Sequence, residues 1–331
     1  MTTPATDLNG APERKAPERK RTAAEHPLAS WALENGCIVT LAWLRVRMAP
    51  DWLVRKWRTS FVKSTLLAMA GGLLVVDGGI VMQHFLVHRV YRGIPFFSTA
   101  SRKRSTKTPP QQLAQDWSTA NLPVHLFGAC LFGVLISRLS EREFDAAIRY
   151  GNQPFRVGSF LLKLGMMRVL ADIVFYVVHG ALHTKPLYRL LHKRHHEHVA
   201  TALPTNFHFT VIDLLLEGFL PLFAANRALD LAGVRFNTFE RFLGFTYLQW
   251  YEAGSHSGKA VPTVTYFPPL SPLYRFFLGN VDEHNVAFHQ AHHRFGRGNY
   301  GITQWLDYAL GTALPQHKLD RGVEDAQHVD S

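Results

Sequence analysis

The stretch Asp172-Ile-Val-Phe-Tyr-Val-Val-His179-Gly-Ala-Leu-His183-Thr-Lys-Pro186, followed by His192-Lys-Arg-His195-His196, decides how this chain is read. His179 and His183 stand four residues apart, and His192, His195 and His196 repeat a three-and-four spacing. On a helix, residues at those separations share one face, so each group aims its imidazoles at one point. Pro186 cannot continue the first helix, which places a corner at Thr184–Pro186. His289, His292 and His293 repeat the three-and-four pattern later in the chain. Histidine is the commonest metal ligand, and one tetrahedral zinc takes four ligands. These clusters supply twice that number, so they suit two metal ions. Nitrogen-only ligation fits Fe, Zn, Cu or Ni. Asp172 lies near the His179/His183 stripe and is expected to accept an imidazole N–H. Its alternative reading is a charge near a helix N-terminus.

The rest of the composition narrows the class. The chain has 331 residues, a length that suits about two domains or one large one. Lys and Arg number 36 against 25 Asp and Glu, a formal charge of +11. Hydrophobic residues make up 47% and charged ones 18%, which excludes a wholly disordered chain. Two cysteines, Cys37 and Cys130, exclude a disulfide scaffold and a cysteine-rich zinc or iron–sulfur module. The eighteen histidines are the anomaly.

Residues 1–30 read as a disordered basic arm with a tandem Ala-Pro-Glu-Arg-Lys repeat and no secretory signal. Its basic residues alternate with acids and no nucleic-acid motif follows, so no nucleic-acid partner is expected. Residues 31–156 read as membrane helices and basic loops, 157–313 as the catalytic domain, and 314–331 as a polar tail. Apolar segments occur at Thr65–Val87, Trp117–Ser137, Arg156–Val178, Phe207–Ala225 and Phe242–Tyr251. The segment 117–137 has the length of a bilayer crossing and 65–87 approaches it; the other reading is buried helices of a large soluble domain. Lys and Arg crowd both flanks of 65–87, and positive flanks tend to be cytoplasmic. A re-entrant hairpin broken at Gly71-Gly72 or Gly78-Gly79 would satisfy both flanks.

The series Asp172-x-x-Phe175-Tyr176-x-x-His179-x-x-x-His183, then His192-Lys-Arg-His195-His196, resembles the fatty acid hydroxylase/sterol desaturase superfamily of integral-membrane di-iron enzymes. So do His256-Ser257-Gly258, His289-x-x-His292-His293, Asn299-Tyr300-Gly301 and Asp307-x-x-x-Gly311-Thr312. The resemblance covers roughly residues 168–313. It implies an all-α fold, with multi-pass transmembrane helices and a cytosol-facing helical cap holding a His-rich di-metal site. It implies His179, His183, His192, His195, His196, His256, His289, His292 and His293 as ligands of two iron ions, with Asp172 in support. O₂ is the implied co-substrate and a bilayer-dissolved lipid such as a sterol or fatty acyl chain the implied substrate, hydroxylated or desaturated. Cytochrome b5, or a ferredoxin with its reductase, is the implied electron donor. The implied location is the endoplasmic reticulum membrane in a eukaryote or the inner membrane in a bacterium. Two departures stand out. Thr210 and Val211 precede Asp213 where the family has His-Pro before its acid, with His208 two residues early, and Leu306 separates Trp305 from Asp307.

Other histidines read differently. His198 is expected to be solvated, His84 and His88 to be membrane-interface residues, and His284 to be either a ligand or a surface residue. Glu252 reads equally as support for a ligand or as a helix charge. Two competing functions are a carotenoid-type hydroxylase and a His-rich membrane metal transporter or sensor. The charged sequence around the clusters disfavours the transporter, whose ligands usually sit near the bilayer midplane. A zinc hydrolase with the H-E-x-x-H motif is excluded because Gly180 stands where the glutamate is needed.

Overall fold

The computed structural model describes residues 27–47, 60–91, 94, 122–140, 155–199, 201–259, 268–270, 273, 276–277 and 281–315. Among these residues the secondary structure is helical throughout. The longer helices are α1 (Pro27–Arg47), α2 (Phe61–Phe85), α3 (Leu122–Ser140), α4 (Val157–Leu182), α5 (Leu220–Leu231), α6 (Thr238–Ser255), α7 (Val281–Phe295) and α8 (Gln304–Leu310). The arm read over 1–30 falls outside the described residues as far as 26, and α1 already begins at Pro27.

α2 runs without a break and continues as a π-helical turn, Leu86–Val90. The expected hairpin at Gly71-Gly72 or Gly78-Gly79 is therefore absent. The first glycine pair serves packing instead. A Cβ on Gly72 would lie 2.0 Å from the Ala129 carbonyl, and one on Gly133 would lie 1.9 Å from the Ala68 carbonyl. α2 and α3 thus meet backbone to backbone, as small residues allow between helices. Phe61–Val90 is the one helix among the described residues long and apolar enough to cross a membrane; Pro123–Ile136 is apolar but shorter.

α4 solves a problem visible in its sequence, three charges inside an apolar run. Arg168 and Asp172 are buried, and Lys163 donates to Glu240 Oε2 at 2.7 Å. Leu162, Met166, Val169, Ile173 and Val177 occupy the opposite, exposed face. Glu240 also closes a capping box with Asn237 at the start of α6, the arrangement that satisfies first-turn N–H groups.

α6 is the central post. It is buried along nearly its whole length, and its Trp250 Nε1 donates to Glu34 of α1 at 2.9 Å. Gln83 of α2 donates to the Trp250 carbonyl at 2.7 Å. The apolar segment Phe207–Ala225 is not one helix. A 3-10 turn, Leu203–Phe207, ends at His208, and Thr210 caps a new start by accepting from Asp213 N. A π stretch, Leu214–Phe219, leads into α5. Pro221 lacks the N–H that the Glu217 carbonyl would take in a regular helix, which fits the widened turn just before it.

Candidate metal centre

Four pieces of chain deliver the imidazoles. His179 sits in the last turn of α4 and His183 at its C-cap. Thr184 and Pro186 then turn the chain as expected, into the short helix Lys185–Leu187. The next histidine group departs from a plain α-helix: His192 closes a π turn, Tyr188–His192, and His195 and His196 lie in a 3-10 turn. Wider and tighter turns in succession rotate the three rings toward α7. π turns of this kind recur at functional sites. His256 follows the end of α6, and His289, His292 and His293 line one side of α7.

All nine of these histidines converge, in two groups. His179, His183, His192, His196 and His292 form one, and His195, His256, His289 and His293 the other; within each, the candidate ligand atoms lie within 4.8 Å of one another. In the first group His183 Nε2 is 3.3 Å from His179 Nε2 and 3.1 Å from His292 Nε2, and His196 Nε2 is 3.0 Å from His192 Nε2. In the second, His256 Nε2 is 3.3 Å from His195 Nε2 and 2.8 Å from His289 Nε2.

The outward-facing Nδ1 atoms of four rings decide which nitrogen each presents to the centre. His179 donates Nδ1–H to the Tyr300 carbonyl at 2.7 Å, His292 to the Gly298 carbonyl at 2.7 Å, and His256 to the Glu252 carbonyl at 2.9 Å. A carbonyl only accepts, so each of these rings carries its proton on Nδ1 and presents a bare lone pair at Nε2. His192 Nδ1 faces the Asp213 carboxylate at 3.1 Å, which fixes the same tautomer. Bare lone pairs about 3 Å apart repel unless a cation lies between them. Two nitrogens bound at ~2.0–2.1 Å to one tetrahedral ion stand ~3.3 Å apart. The donor set therefore fits two metal ions.

Burial disfavours a charged imidazole. It holds His195, His196, His289 and His293 well below the usual histidine range, with the neighbouring imidazoles adding to the effect. Burial likewise brings His292 to about 3 and His256 to about 4. Neutral imidazole is the form that binds metal.

The loop after α7 gives the Asn-Tyr-Gly motif its physical meaning. Gly296, Gly298 and Asn299 all have positive φ, 62°, 70° and 54°. A Cβ on Gly298 would meet the Thr312 carbonyl at 2.3 Å. This left-handed reversal turns the Gly298 and Tyr300 carbonyls back onto His292 and His179. Asp307 holds the reversal in place: its carboxylate accepts from Tyr300 N at 2.8 Å, Gly301 N at 2.7 Å and Thr312 Oγ1 at 2.6 Å. Asn299 ties it further, donating to the Phe288 carbonyl and accepting from Leu314 N.

Asp172 does not play the expected part. Its carboxylate accepts from Thr303, at the backbone N–H and the hydroxyl. Asp172 lies two turns before His179, deep between α4 and the loop leading to α8, so it secures that loop rather than an imidazole. The acids that face imidazoles are Asp213 and Glu217. Glu217 Oε1 lies 3.4 Å from His179 Nε2 and 3.6 Å from His192 Nδ1. Sequence reasoning passed over Glu217, which looks like a stray charge in an apolar run. Its one signal was its place one turn beyond Asp213. Glu252 contributes through its backbone carbonyl.

His208 stands outside both groups and pairs with Glu197 at 3.1 Å. His198 is not simply solvated. It stacks on His208, with ring centroids 4.2 Å apart, and bonds Thr205 Oγ1 at 3.0 Å, because the 3-10 turn Leu203–Phe207 folds over it. His84 and His88 meet each other, centroids 4.3 Å apart, at the end of α2. The side chain of His284 lies outside the described residues.

Among the described residues, an all-helical body wraps two closed sets of imidazoles beside apolar helices, the arrangement of a histidine-rich metal centre. Residues 164–312 match the family model described as fatty acid hydroxylase, which supports the superfamily that the histidine motifs resemble. Among curated proteins it is similar to a methylsterol monooxygenase of Aspergillus fumigatus, 26% identical over 51% of this chain and 53% of that protein. It is also similar to a very-long-chain aldehyde decarbonylase of Oryza sativa subsp. indica, 33% identical over 44% of this chain and 49% of that one. A fatty acid hydroxylase of Mycosarcoma maydis is 27% identical over 44% of this chain and 31% of its own length. The matches span about half the length of the first two relatives. No solved structure matches the chain at a significant level.

Proposed function

We propose that this protein oxidises a membrane-dissolved lipid with O₂, at two iron ions held by the five-histidine and four-histidine groups. The observation that carries the reading is one shared residue. Glu217 faces the five-histidine group and also walls an apolar cavity of about 790 Å³, mouth included. A lipid in that cavity would lie against Glu217, with that side chain between it and the five-histidine group. The cavity has the apolar lining of small-molecule sites, with a few polar groups among it. Bound iron would supply O₂ activation and oxidation of an unactivated C–H bond.

The chain's own residues do the rest. The Tyr300, Gly298 and Glu252 carbonyls and the Asp213 carboxylate orient four imidazoles with their lone pairs inward. Phe207, Phe209 and Phe219 border the cavity and exclude water. Hydroxylation consumes O₂, two electrons and two protons, and returns one water. The electrons are assigned to a separate cytochrome b5 or ferredoxin with its reductase, the donors that the family resemblance implies.

The reading includes a multi-pass membrane setting. α4 spans about 39 Å at 1.5 Å per residue. Its charges point inward and its apolar face outward, as intramembrane charges do. Lys193, Arg194, Arg294 and Arg297 beside the imidazoles favour a cytosolic site. Hydroxylation is favoured over desaturation because it needs a single C–H near the metal.

The test is incubation of the iron-loaded protein under ¹⁸O₂ with reductant, redox partner and candidate lipids. Label in a product alcohol supports hydroxylation, and an unlabelled new double bond indicates desaturation. Turnover that persists without O₂ overturns the oxidative reading.

A further inference from the structure

The cavity beside Glu217 is not uniformly apolar, and its polar atoms carry more information than its walls. Asn206 is 5% exposed, and its Oδ1 is buried without a hydrogen-bond partner. Gln249 Oε1 is buried in the same state. Both residues line this one cavity, although they come from different elements, the turn Leu203–Phe207 and the middle of α6. An unsatisfied buried acceptor costs ~1–3 kcal/mol. Such atoms recur where something else is meant to complete them.

The two open acceptor atoms exclude one obvious candidate, a carboxylate. Arg168 borders the cavity, but Glu217 and Glu252 border it too. Arg168 also lies within electrostatic reach of Asp172 and Glu252 and packs over the Tyr251 ring at 4.0 Å. A carboxylate only accepts, so it completes neither Asn206 Oδ1 nor Gln249 Oε1. A hydroxyl meets no such obstacle. It both donates and accepts, so it satisfies Asn206 and Gln249 whichever way their amides are turned.

We propose that Asn206 and Gln249 are specificity-determining residues that bind a hydroxyl group on the lipid substrate, so that the cavity selects a neutral hydroxyl-bearing lipid over a hydrocarbon or a free fatty acid. The proposal rests on the oxidative reading for the word substrate, but it concerns binding. Gln249 stands about two turns of α6 before His256. The recognised hydroxyl and the oxidised carbon are therefore distinct positions on one molecule. The shared chemistry admits a sterol or a long-chain alcohol, and the two are separated by the probes.

The experiment measures equilibrium binding of tritiated cholesterol and, separately, tritiated 1-octadecanol to the full-length metal-loaded protein in nanodiscs. No O₂ or reductant is present, so a failure of catalysis leaves the measurement intact. Competitors are cholestane, octadecane and octadecanoate. Saturable binding of one alcohol, with its matched hydrocarbon and octadecanoate competing at least about tenfold more weakly, is the expected result, because one hydrogen bond of this kind is worth about that factor. Which alcohol binds then tells sterol from chain. Gln249→Met, which keeps the length of the side chain and removes its polar atoms, is expected to erase most of that preference while retaining the metal. Asn206→Leu is expected to do the same, and Gln249→Met carries the test if Asn206→Leu fails to fold. Binding of neither alcohol, equal competition by the hydrocarbons, stronger competition by octadecanoate, or an unchanged preference in Gln249→Met overturns the proposal.

Discussion

Glu217 Oε1 lies 3.4 Å from His179 Nε2, and the same side chain forms part of the cavity wall. This carboxyl group is thus the boundary between the candidate metal centre and the space for an apolar molecule. Glu217→Gln keeps the size of the side chain and removes its ability to ionise. Changes to groups that support ligands typically cost ~10–100-fold in metal affinity or activity. A loss in that range is expected, with the nine histidines unchanged. Chelator competition for the metal, run beside turnover, measures it. Wild-type values in both assays would remove Glu217 from the site.

Asp213 and Asp172 offer a contrast within one experiment. Asp213 faces His192 Nδ1, whereas Asp172 takes the Thr303 N–H. Asp213→Asn is expected to weaken metal binding ~10–100-fold. Asp172→Asn is expected to leave metal content near wild type and to lower stability by ~1–3 kcal/mol through its buried hydrogen bonds. Metal analysis together with thermal melting separates the two. The reverse pattern would return Asp172 to the imidazoles.

Metal removal has a structural consequence. Nine imidazoles converge with their Nε2 atoms facing one another, and the cation that would relieve their repulsion also ties α4, α6 and α7 together. The purified protein is expected to hold about two iron ions per chain, as nine nitrogen ligands can complete. Chelation is expected to lower Tm, since binding to the folded state adds directly to stability. His292→Ala is expected to lose metal and activity together. Elemental analysis and a melt before and after iron is restored check this; stoichiometric zinc with no iron-dependent turnover would refute the iron assignment.

The contact of α2 with α3 predicts a steric limit. A Cβ at Gly133 would sit 1.9 Å from the Ala68 carbonyl, and one at Gly72 would sit 2.8 Å from the Gly133 Cα. Gly133→Val is expected to destabilise the protein by ~1–3 kcal/mol, the usual cost of overpacking, or more if the helices cannot separate. Gly36→Val is the matched control, because a Cβ on Gly36 would meet nothing within 4 Å. Thermal melts in one detergent compare them.

Topology is open to labelling. Lys193 lies within the first H-x-x-H-H group and Arg294 directly follows the second, so they must lie on one side of the membrane if the groups form one centre. With Cys37 and Cys130 replaced by serine, Lys193→Cys and Arg294→Cys are each expected to react with an impermeant thiol reagent only from the cytoplasmic face. Labelling of either from the opposite face contradicts the proposed orientation.

Much of the centre was legible because ligand spacing is a local property. The intervals in His179–His183 and His289–His293 already place imidazoles on one face of a helix, and the structure brings together the nine histidines singled out from the sequence. Their division into five and four was not legible. His196 and His195 are adjacent in the chain yet join different groups, because a π turn followed by a 3-10 turn points them apart. The role of Asp172 was misjudged for a related reason. Its heptad spacing to His179 says which side of α4 it occupies, and nothing about the loop that packs there.

The sequence by itself determined that the chain is helical, apolar in long runs and armed with imidazoles at metal-ligand spacing, since these follow from composition and short-range periodicity. Only the tertiary structure decided which partners fix each ring. The carbonyls of Gly298 and Tyr300, the Asp213 carboxylate and the Glu217 side chain reach the histidines from other segments. It also decided that Gly72 and Gly133 join two helices rather than break one, and that the charges of α4 turn inward. A glycine or a charge in an apolar run has one meaning in solvent and another against a neighbouring helix, and the neighbour is chosen by packing across distant parts of the chain.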